Sequence, residues 1–543
     1  MKEKTPGRGK MVVTNLLITL AVGLVYFYFS LPAINLQNSS FYTFFVVLAL
    51  LYCVLSLVRT GVRSISTPKE LLENVKKSCI VPAIFCVGLI LFYLVGSLIS
   101  APIFRARSYR DLLTVENGDF AVEVEEISYD QIPMLDEDSA KRLGDRKLGE
   151  LADMVSQFEV AQDYTQINYK GRPVRVTPLE YGDIIKWLNN RSAGLPGYLV
   201  IDMVTQNVEV VRLSAGDGIK YTTNEHFGRY LYRHLRFQYP TFMFDTATFE
   251  IDEEGVPYWV CPRIIRQIGL FGGTDIQGAV LVNAITGESV YYESLPSWVD
   301  RVYTADLIIE QYDYHGMYQN GWLNSIFGQR DVTVTTEGYN YIVSGDDVYM
   351  YTGITSVGGD ESNVGFILSN QRTKETKYYP CAGAEEYSAM ASAEGIVQQM
   401  KYVATFPLLL NIEAQPTYFM ALKDSAGLVK MYAMVNVRQY QIVASGVTVA
   451  ECQKNYLEQL HRNELVETGK ESGREISGTV AELRSAVIDG NTHVYLRLEG
   501  EAHYYVISVS DAGLAAIVNV GDKVTITVSE GEGEIRQAYD LKR

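Results

Sequence analysis

Three stretches near the amino terminus consist only of apolar and uncharged polar residues. They cover residues 11–34, 41–58 and 79–101, and none contains Asp, Glu, Lys, Arg or His. A helix rises about 1.5 Å per residue, so each stretch can cross a hydrocarbon layer of about 30 Å. The pattern predicts a three-helix membrane anchor over residues 1–101. A cleaved signal peptide is the alternative for the first stretch, but its length and the two stretches that follow argue against one.

Basic residues flank these stretches unevenly. Four precede the first stretch and five lie in the linker 59–77, whereas the loop 35–40 has none. The positive-inside rule therefore predicts a protein of the cell membrane with a cytoplasmic amino terminus, and with the chain after about residue 101 outside the cell. Because the helices carry no charge, we expect an anchor and not a path for ions or protons.

A block of alternating strand and turn signals recurs in the region after residue 101. Each copy has Gly, an apolar run, Asp or Asn five positions on and Thr eight positions on, followed by a second apolar pair. Short polar side chains at these places favour turns, and the β-branched and aromatic flanks favour strands. The block predicts a hairpin that repeats every 80 to 90 residues. The copies begin at Gly197 (GYLVIDMVTQNVEVVRL), Gly278 (GAVLVNAITGESVYYES) and Gly365 (GFILSNQRTKETKYYPC).

A looser fourth copy runs from Tyr418 to Val437 and leads into a predicted helix ending at Arg462. Together the copies predict an α+β protein in which small antiparallel sheets, each with a helix, follow one another along the chain. The predicted units cover 102–240, 241–330, 331–405 and 406–466.

The last part of the chain follows a polar, glycine-containing linker at 467–473 and forms its own predicted domain, 474–543. Five short strands and a helix between the third and fourth resemble an OB-type β-barrel. An unrelated small sandwich is the alternative.

The repeated block itself resembles PepSY-type domains, which are small extracytoplasmic modules of bacterial membrane proteins. Gln206 and Lys374 stand where the second copy has Gly287 in the turn, so the pattern departs from the family there. The segment 233–245 and the following Pro257-Tyr258-Trp259 resemble uncharacterised membrane-anchored proteins of Gram-positive bacteria. These resemblances imply a cell-envelope location and an architecture of extracytoplasmic repeats, and they imply no reaction.

Charge excludes one class of partner. The formal net charge is −17, yet residues 1–100 carry nine Lys/Arg and three acids, which leaves the rest of the chain strongly acidic. Such a surface repels phosphate backbones, so we expect no nucleic-acid binding even by the barrel.

The sequence contains few signs of a catalytic site. No HExxH or G-x-S-x-G motif occurs, and Cys381 lacks a neighbouring basic group that would activate its thiol. Cys261, Cys381 and Cys452 allow at most one disulfide and equally well three free thiols. We therefore predict no catalytic residues and no cofactor, although a triad spread across the fold would leave no local motif.

Two acidic, glycine-rich loops, 344–347 and 358–363, suggest a calcium site, and the second offers more ligands. Asp360, Glu361 and Asn363 supply oxygen ligands of the kind that Ca²⁺ takes, without the spacing of an EF-hand. A turn required by the fold is the alternative, and a similar Gly-Gly pair before the second copy favours it.

The sequence thus favours a non-enzymatic function: an extracytoplasmic scaffold or binding protein of the bacterial cell envelope that engages another protein or a wall polymer. The alternatives are an envelope hydrolase with a dispersed active site and a regulator or inhibitor of an extracellular peptidase. The partner and the oligomeric state do not follow from the sequence.

Overall fold

The computed structural model describes residues 8–61, 68–127, 132–214, 216–357, 362–463, 465, 474–488, 491–509, 513–528 and 535–543. The chain divides into two compact units, Met1–Tyr456 and Leu457–Arg543. Its architecture is mixed α+β, with several small antiparallel sheets, as the sequence predicts.

Three long amino-terminal helices are apolar and long enough to span a membrane, in agreement with the hydrophobic pattern. The first ends at Ser30, four residues before the predicted end, because Leu31 adopts a positive φ and precedes Pro32. A hydrogen bond of 3.0 Å from Asn15 Nδ2 to Ser56 Oγ joins the first two helices. The helices are α1 (Arg8–Ser30), α2 (Ser39–Gly61) and α3 (Pro68–Ser100).

One end of this bundle packs against the α+β region. The amide of Ile34 donates to the carbonyl of Pro240 at 2.8 Å, and Ser100 Oγ accepts from the amides of Leu270 and Phe271 at 2.9 and 3.1 Å. The α1–α2 loop and the end of α3 therefore lie at the same end of the bundle as the rest of the first unit.

A connecting segment leads from the anchor to the first sheet. Its strand β1 pairs in parallel with a strand of the third sheet, so this part of the predicted unit 102–240 lies with the third sheet. The segment contains α4 (Pro102–Arg110), β1 (Val115–Asn117), α5 (Phe120–Glu123) and α6 (Glu137–Gly149).

Four sheets then follow with one shared plan. In each, two short strands pair with the two ends of a long strand, which continues into a meander of two more antiparallel strands, and a helix follows. The first sheet and its helices comprise β2 (Phe158–Val160), β3 (Thr165–Tyr169), β4 (Arg172–Tyr181), α7 (Ile184–Asn190), β5 (Gly197–Asp202), β6 (Val208–Arg212) and α8 (Leu231–Gln238). The second comprises β7 (Met243–Phe244), β8 (Thr248–Ile251), β9 (Pro257–Ile268), β10 (Gly272–Asn283), β11 (Ser289–Tyr292) and α9 (Ala305–Met317).

The third and fourth sheets repeat this order. In the third, β1 adds a parallel strand at one edge. The third comprises β12 (Thr333–Thr335), β13 (Asn340–Ser344), β14 (Asp347–Ser356), β15 (Ser362–Asn370), β16 (Thr376–Ala384) and α10 (Glu386–Ile396). The fourth comprises β17 (Val403–Ala404), β18 (Leu408–Ile412), β19 (Gln415–Lys423), β20 (Val429–Asn436), β21 (Val443–Gly446) and α11 (Val449–Arg462).

The turns of the three repeated blocks have the same hydrogen bonds. In each, the side-chain oxygen of the Asp or Asn accepts from the amides two and three residues on, at 2.8 to 3.0 Å. Gln206, Gly287 and Lys374 all adopt positive φ, of 59°, 78° and 65°. The Asp/Asn–Thr pair therefore holds the left-handed turn even where glycine is replaced.

The second compact unit contains a closed five-stranded barrel. Its strands follow the order β22-β23-β24-β26-β25, and a short 3₁₀-helix, Gly513–Ala516, lies between the third and fourth strands of the chain. Its interior is apolar, with Leu496, Ile507 and Ile526 fully buried. The strands are β22 (Arg474–Ile488), β23 (Asn491–Leu498), β24 (Tyr504–Ser508), β25 (Lys523–Val528) and β26 (Ile535–Lys542).

Candidate functional site

A cavity of about 960 Å³ opens where all four sheets of the first unit meet, and we call it the cleft. This volume lies at the upper end of the range that ligand pockets occupy. The residues that line the cleft and bear on its chemistry are Asp136, Glu137, Asp138, Arg142, Asp163, Tyr164, Arg175, Arg301, Tyr339, Tyr341, Val403, Phe406 and Lys423.

Arg175 is the most buried cation of the cleft, with 7% of its surface exposed. It lies in the middle of β4, between Gln166 of β3 and Ile201 of β5, so the sheet fixes its backbone. Its Nη1 donates to the carbonyl of Tyr164 at 3.2 Å, while Nε has no hydrogen-bond partner among the described residues. Burial lowers the pKa of Arg175, and the charge of Arg301 adds to this effect.

Arg301 belongs to the segment between β11 and α9, and a buried carboxylate holds its backbone. Glu250 accepts hydrogen bonds from the amides of Asp300 and Arg301 at 2.8 and 3.0 Å. The Arg301 guanidinium donates to Tyr341 Oη at 2.8 Å and lies 4.0 Å from the centre of that ring. Tyr341, on β13, thereby sets the position of the Arg301 side chain.

The two other cations of the cleft have partners. Lys423 forms an ion pair with Asp136, and Arg142 donates to the carbonyl of Ala426 at 2.6 Å. Burial alone raises the pKa of Asp136, but its hydrogen bonds from Lys423 and Ser139 outweigh burial, so the pKa lies below its ordinary value. In the part of the chain that the structure describes, Arg175 and Arg301 form no ion pair with an acid.

Aromatic rings form one wall of the cleft. The rings of Tyr339 and Tyr341 lie 5.6 Å apart, and Phe406 packs near Tyr351, whose hydroxyl donates to the carbonyl of Pro407. The cleft therefore combines cationic, aromatic and apolar surfaces, which is a composition suited to binding a chain segment with mixed side chains.

A pair of buried carboxyls lies next to the cleft without lining it. Asp300 Oδ2 accepts from the amide of Asn168 at 2.6 Å, so this pair joins the first and second sheets. Burial raises the pKa of Asp300, and the carboxyl of Glu250 raises it further; burial likewise raises the pKa of Glu250. Both carboxyls bind backbone amides, which is a structural role.

The predicted calcium ligands are only partly described. Asp360 and Glu361 lie outside the described residues, so the calcium site stays a prediction. Asn363 is buried on β15, and its Nδ2 donates to the carbonyl of Ala384 and to Tyr418 Oη at 3.3 and 3.1 Å. Across the described ranges, no group of three or more His, Cys, Asp or Glu is arranged to hold a metal ion.

The three cysteines after the anchor are free, buried thiols. Burial raises the pKa of Cys261 and of Cys381. Contrary to the expectation that Cys381 has no basic neighbour, Arg438 lies beside it and lowers its pKa, but burial outweighs this effect, so both thiols are protonated at neutral pH. The structure thus gives these cysteines a packing role.

Comparisons with known proteins add no assignment. No protein-family model matches the chain, and no curated protein is significantly similar to it. The geometry of the cleft is therefore the basis for a functional proposal.

Proposed function

We propose that the protein is a membrane-anchored binding protein of the bacterial cell envelope, and that its cleft takes up a segment of a partner protein. The observation that carries this proposal is the cavity at the meeting point of four sheets, lined by a row of aromatic rings and by Arg175 and Arg301, which form no ion pair with an acid among the described residues. A buried cation without a counter-ion costs free energy in the empty protein, and an anionic ligand recovers that cost.

The extracytoplasmic side of the membrane is part of the proposal. The basic linker 59–77 favours the cytoplasm, and the α1–α2 loop, which contacts the α+β region, has no basic residue. Both observations support a cleft that faces away from the cytoplasm.

The module types are also proposals. The shared strand order of the four sheets and their Asp/Asn–Thr turns support PepSY-like units. The strand order of the closed barrel, with a short helix between its third and fourth strands, supports an OB-like domain. An acidic barrel with this order suits a protein or glycan contact better than a nucleic acid.

A peptide segment fits the cleft better than a neutral wall polymer. Its lining carries both signs of charge together with apolar residues such as Val403 and Phe406, whereas sugar-binding sites depend on hydroxyl contacts and stacked rings. Binding of a wall polymer, inhibition of a peptidase and hydrolysis are the other outcomes that the following experiment distinguishes.

The test places a photo-reactive amino acid at Val403, which lines the cleft and is 60% exposed, in the full-length protein in its native cells. Val447 is the matched control, because it is 63% exposed, lies in the same region and does not line the cleft. We expect one protease-sensitive adduct from Val403 and none from Val447.

The adduct identifies the class of partner. A peptidase in the adduct would select the regulator function, and an adduct that only glycan hydrolases remove would replace the protein partner by a wall polymer. The same products from both positions, or none from Val403, would refute a binding role of the cleft.

A further inference from the structure

Three guanidiniums line the cleft, and the two less exposed ones, those of Arg175 and Arg301, form no ion pair with an acid among the described residues. Asp136 and Glu137 are the acids whose charges act on Arg175. Asp136 pairs with Lys423, and Glu137 pairs with Lys141 at 2.8 Å. The two acids nearest Arg175 are thus held by lysines, and no carboxylate of the described residues forms an ion pair with Arg175 or Arg301.

Acidic and basic side chains also lie at different depths in the cleft. Arg175 is buried, with an unpartnered Nε, and Arg301 is half-buried, whereas Asp138 and Asp163 line the same cavity and are exposed. A ligand that enters thus meets acids first and guanidiniums last. This order suits a ligand with an anionic group at its inner end and a cationic group near the mouth.

We infer that Arg175 and Arg301 form a carboxylate subsite, which receives an acidic side chain or the carboxyl terminus of the partner peptide. This inference rests on the proposed function and names the group that the cleft recognises. Guanidiniums bind carboxylates through charge-assisted hydrogen bonds, and the free Nε of Arg175 is such a donor. A phosphate dianion fits less well, because the exposed acids repel its second charge.

The inference is tested with small anions, because they reach the subsite whatever the rest of the partner is. Thermal unfolding of the full-length protein in detergent is measured with sodium propionate, with the isosteric neutral propionamide and with methylphosphonate, all at matched ionic strength. Propionate should raise the melting temperature by about 1 to 2 °C when it is in several-fold excess over its dissociation constant. Propionamide should not raise it.

Three variants assign the effect to the subsite. Arg175→Met and Arg301→Met should each abolish the shift caused by propionate. Arg172→Met should retain it, because Arg172 lies on the same strand, is exposed and pairs with Asp202. Arg301→Met keeps the test valid should the more buried substitution impair folding.

Two kinds of result overturn the subsite. One is an equal response to propionate and propionamide, or none in the wild type. The other is a larger response to methylphosphonate than to propionate, which would assign the guanidiniums to a phosphate. Either result, combined with a specific adduct from Val403, would refute the subsite while the proposed function stands.

Discussion

Two buried arginines, Arg236 at the junction with the membrane helices and Arg175 in the cleft, are equally inaccessible but differ in what surrounds their charge. Arg236 is 8% exposed and Arg175 is 7% exposed. Arg236 donates to four carbonyls, one of them that of Leu31 at the end of α1. Arg175 donates to one carbonyl and has an unpartnered Nε.

The difference distinguishes an arginine that is buried to stabilise the fold from one whose burial we assign to ligand binding. Carbonyls at the carboxyl end of a helix lack partners within the helix and carry partial negative charge. Arg236 therefore supplies a hydrogen-bond donor to the end of α1, and the carbonyl of Leu31 in turn stabilises the buried guanidinium. Even so, burial lowers the pKa of Arg236 only to about 10, and the group stays charged at neutral pH. Arg175 gains no comparable compensation from the protein, which is why we assign it to a ligand.

Two further buried ionisable groups complete the comparison, because burial of each is compensated in another way. Asp275 is compensated by a counter-ion, since both its oxygens lie within 2.8 Å of Lys374 Nζ. Asp300 is compensated by a proton, since burial raises the pKa of its carboxyl. A single substitution or a change of pH can remove each of these compensating interactions.

The largest effect is expected for Asp275→Asn. This change leaves the half-buried Lys374 without its counter-ion and should lower the free energy of unfolding by about 4 kcal/mol. The double variant with Lys374→Met should recover most of the loss. A thermodynamic cycle over the two single variants and the double variant measures the coupling, and additive effects would contradict a compensated pair.

Removal of the junction arginine is expected to have the next largest effect. Arg236→Met leaves several buried carbonyls unsatisfied and should lower stability by about 3 kcal/mol. Arg107→Met is the control, since Arg107 is 87% exposed and should contribute less than about 0.5 kcal/mol. Thermal unfolding monitored by the native tryptophans distinguishes the two, and equal melting temperatures would refute a structural role for Arg236.

The buried carboxyl pair predicts a pH dependence. The folded protein retains protons on Asp300 and Glu250 at pH values where the unfolded chain has released them, so stability should fall as pH rises above about 4. The slope is at most about 1.4 kcal/mol per pH unit for each proton. Asp300→Asn mimics the protonated acid and should flatten the slope. An unchanged slope in this variant would assign the pH dependence to other groups.

The smallest effect on stability is expected in the cleft and has the opposite sign. Arg175→Met replaces an uncompensated buried charge by an apolar side chain of similar length, so stability should stay constant or rise by about 1 kcal/mol. Unfolding of this variant beside Arg236→Met compares the two sites directly. A loss of about 3 kcal/mol at Arg175 would make both arginines structural.

The sequence predicted the anchor and the mixed α+β class because both depend on local patterns. Long apolar runs predict the membrane helices, and the recurring Asp/Asn–Thr pair predicts the hairpin turns. Gln206 and Lys374 depart from the turn glycine of the second copy, yet the hydrogen bonds to Asp202 and Asn370 hold a positive φ at both positions. At Lys374 the long side chain also reaches Asp275, which a glycine could not do.

The cleft could not be predicted, because its residues come from distant parts of the chain. Arg175 lies on a strand of the first sheet and Arg301 in the segment that follows the second sheet, and only the packing of these parts brings the two side chains to one cavity. The available signal was an arginine inside an apolar strand, between Val174 and Val176, which is an unusual place for a cation. That signal indicates burial but does not identify a partner.

The proposed function depends most on whether Arg175, which forms no ion pair among the described residues, binds the partner. The most direct test compares photo-cross-linking from Val403 in the wild type, in Arg175→Met and in Arg172→Met, with protein levels in the membrane matched. We predict that the adduct persists in Arg172→Met and is lost in Arg175→Met, although the latter is at least as stable as the wild type. An equal yield of adduct in the three proteins would contradict the account.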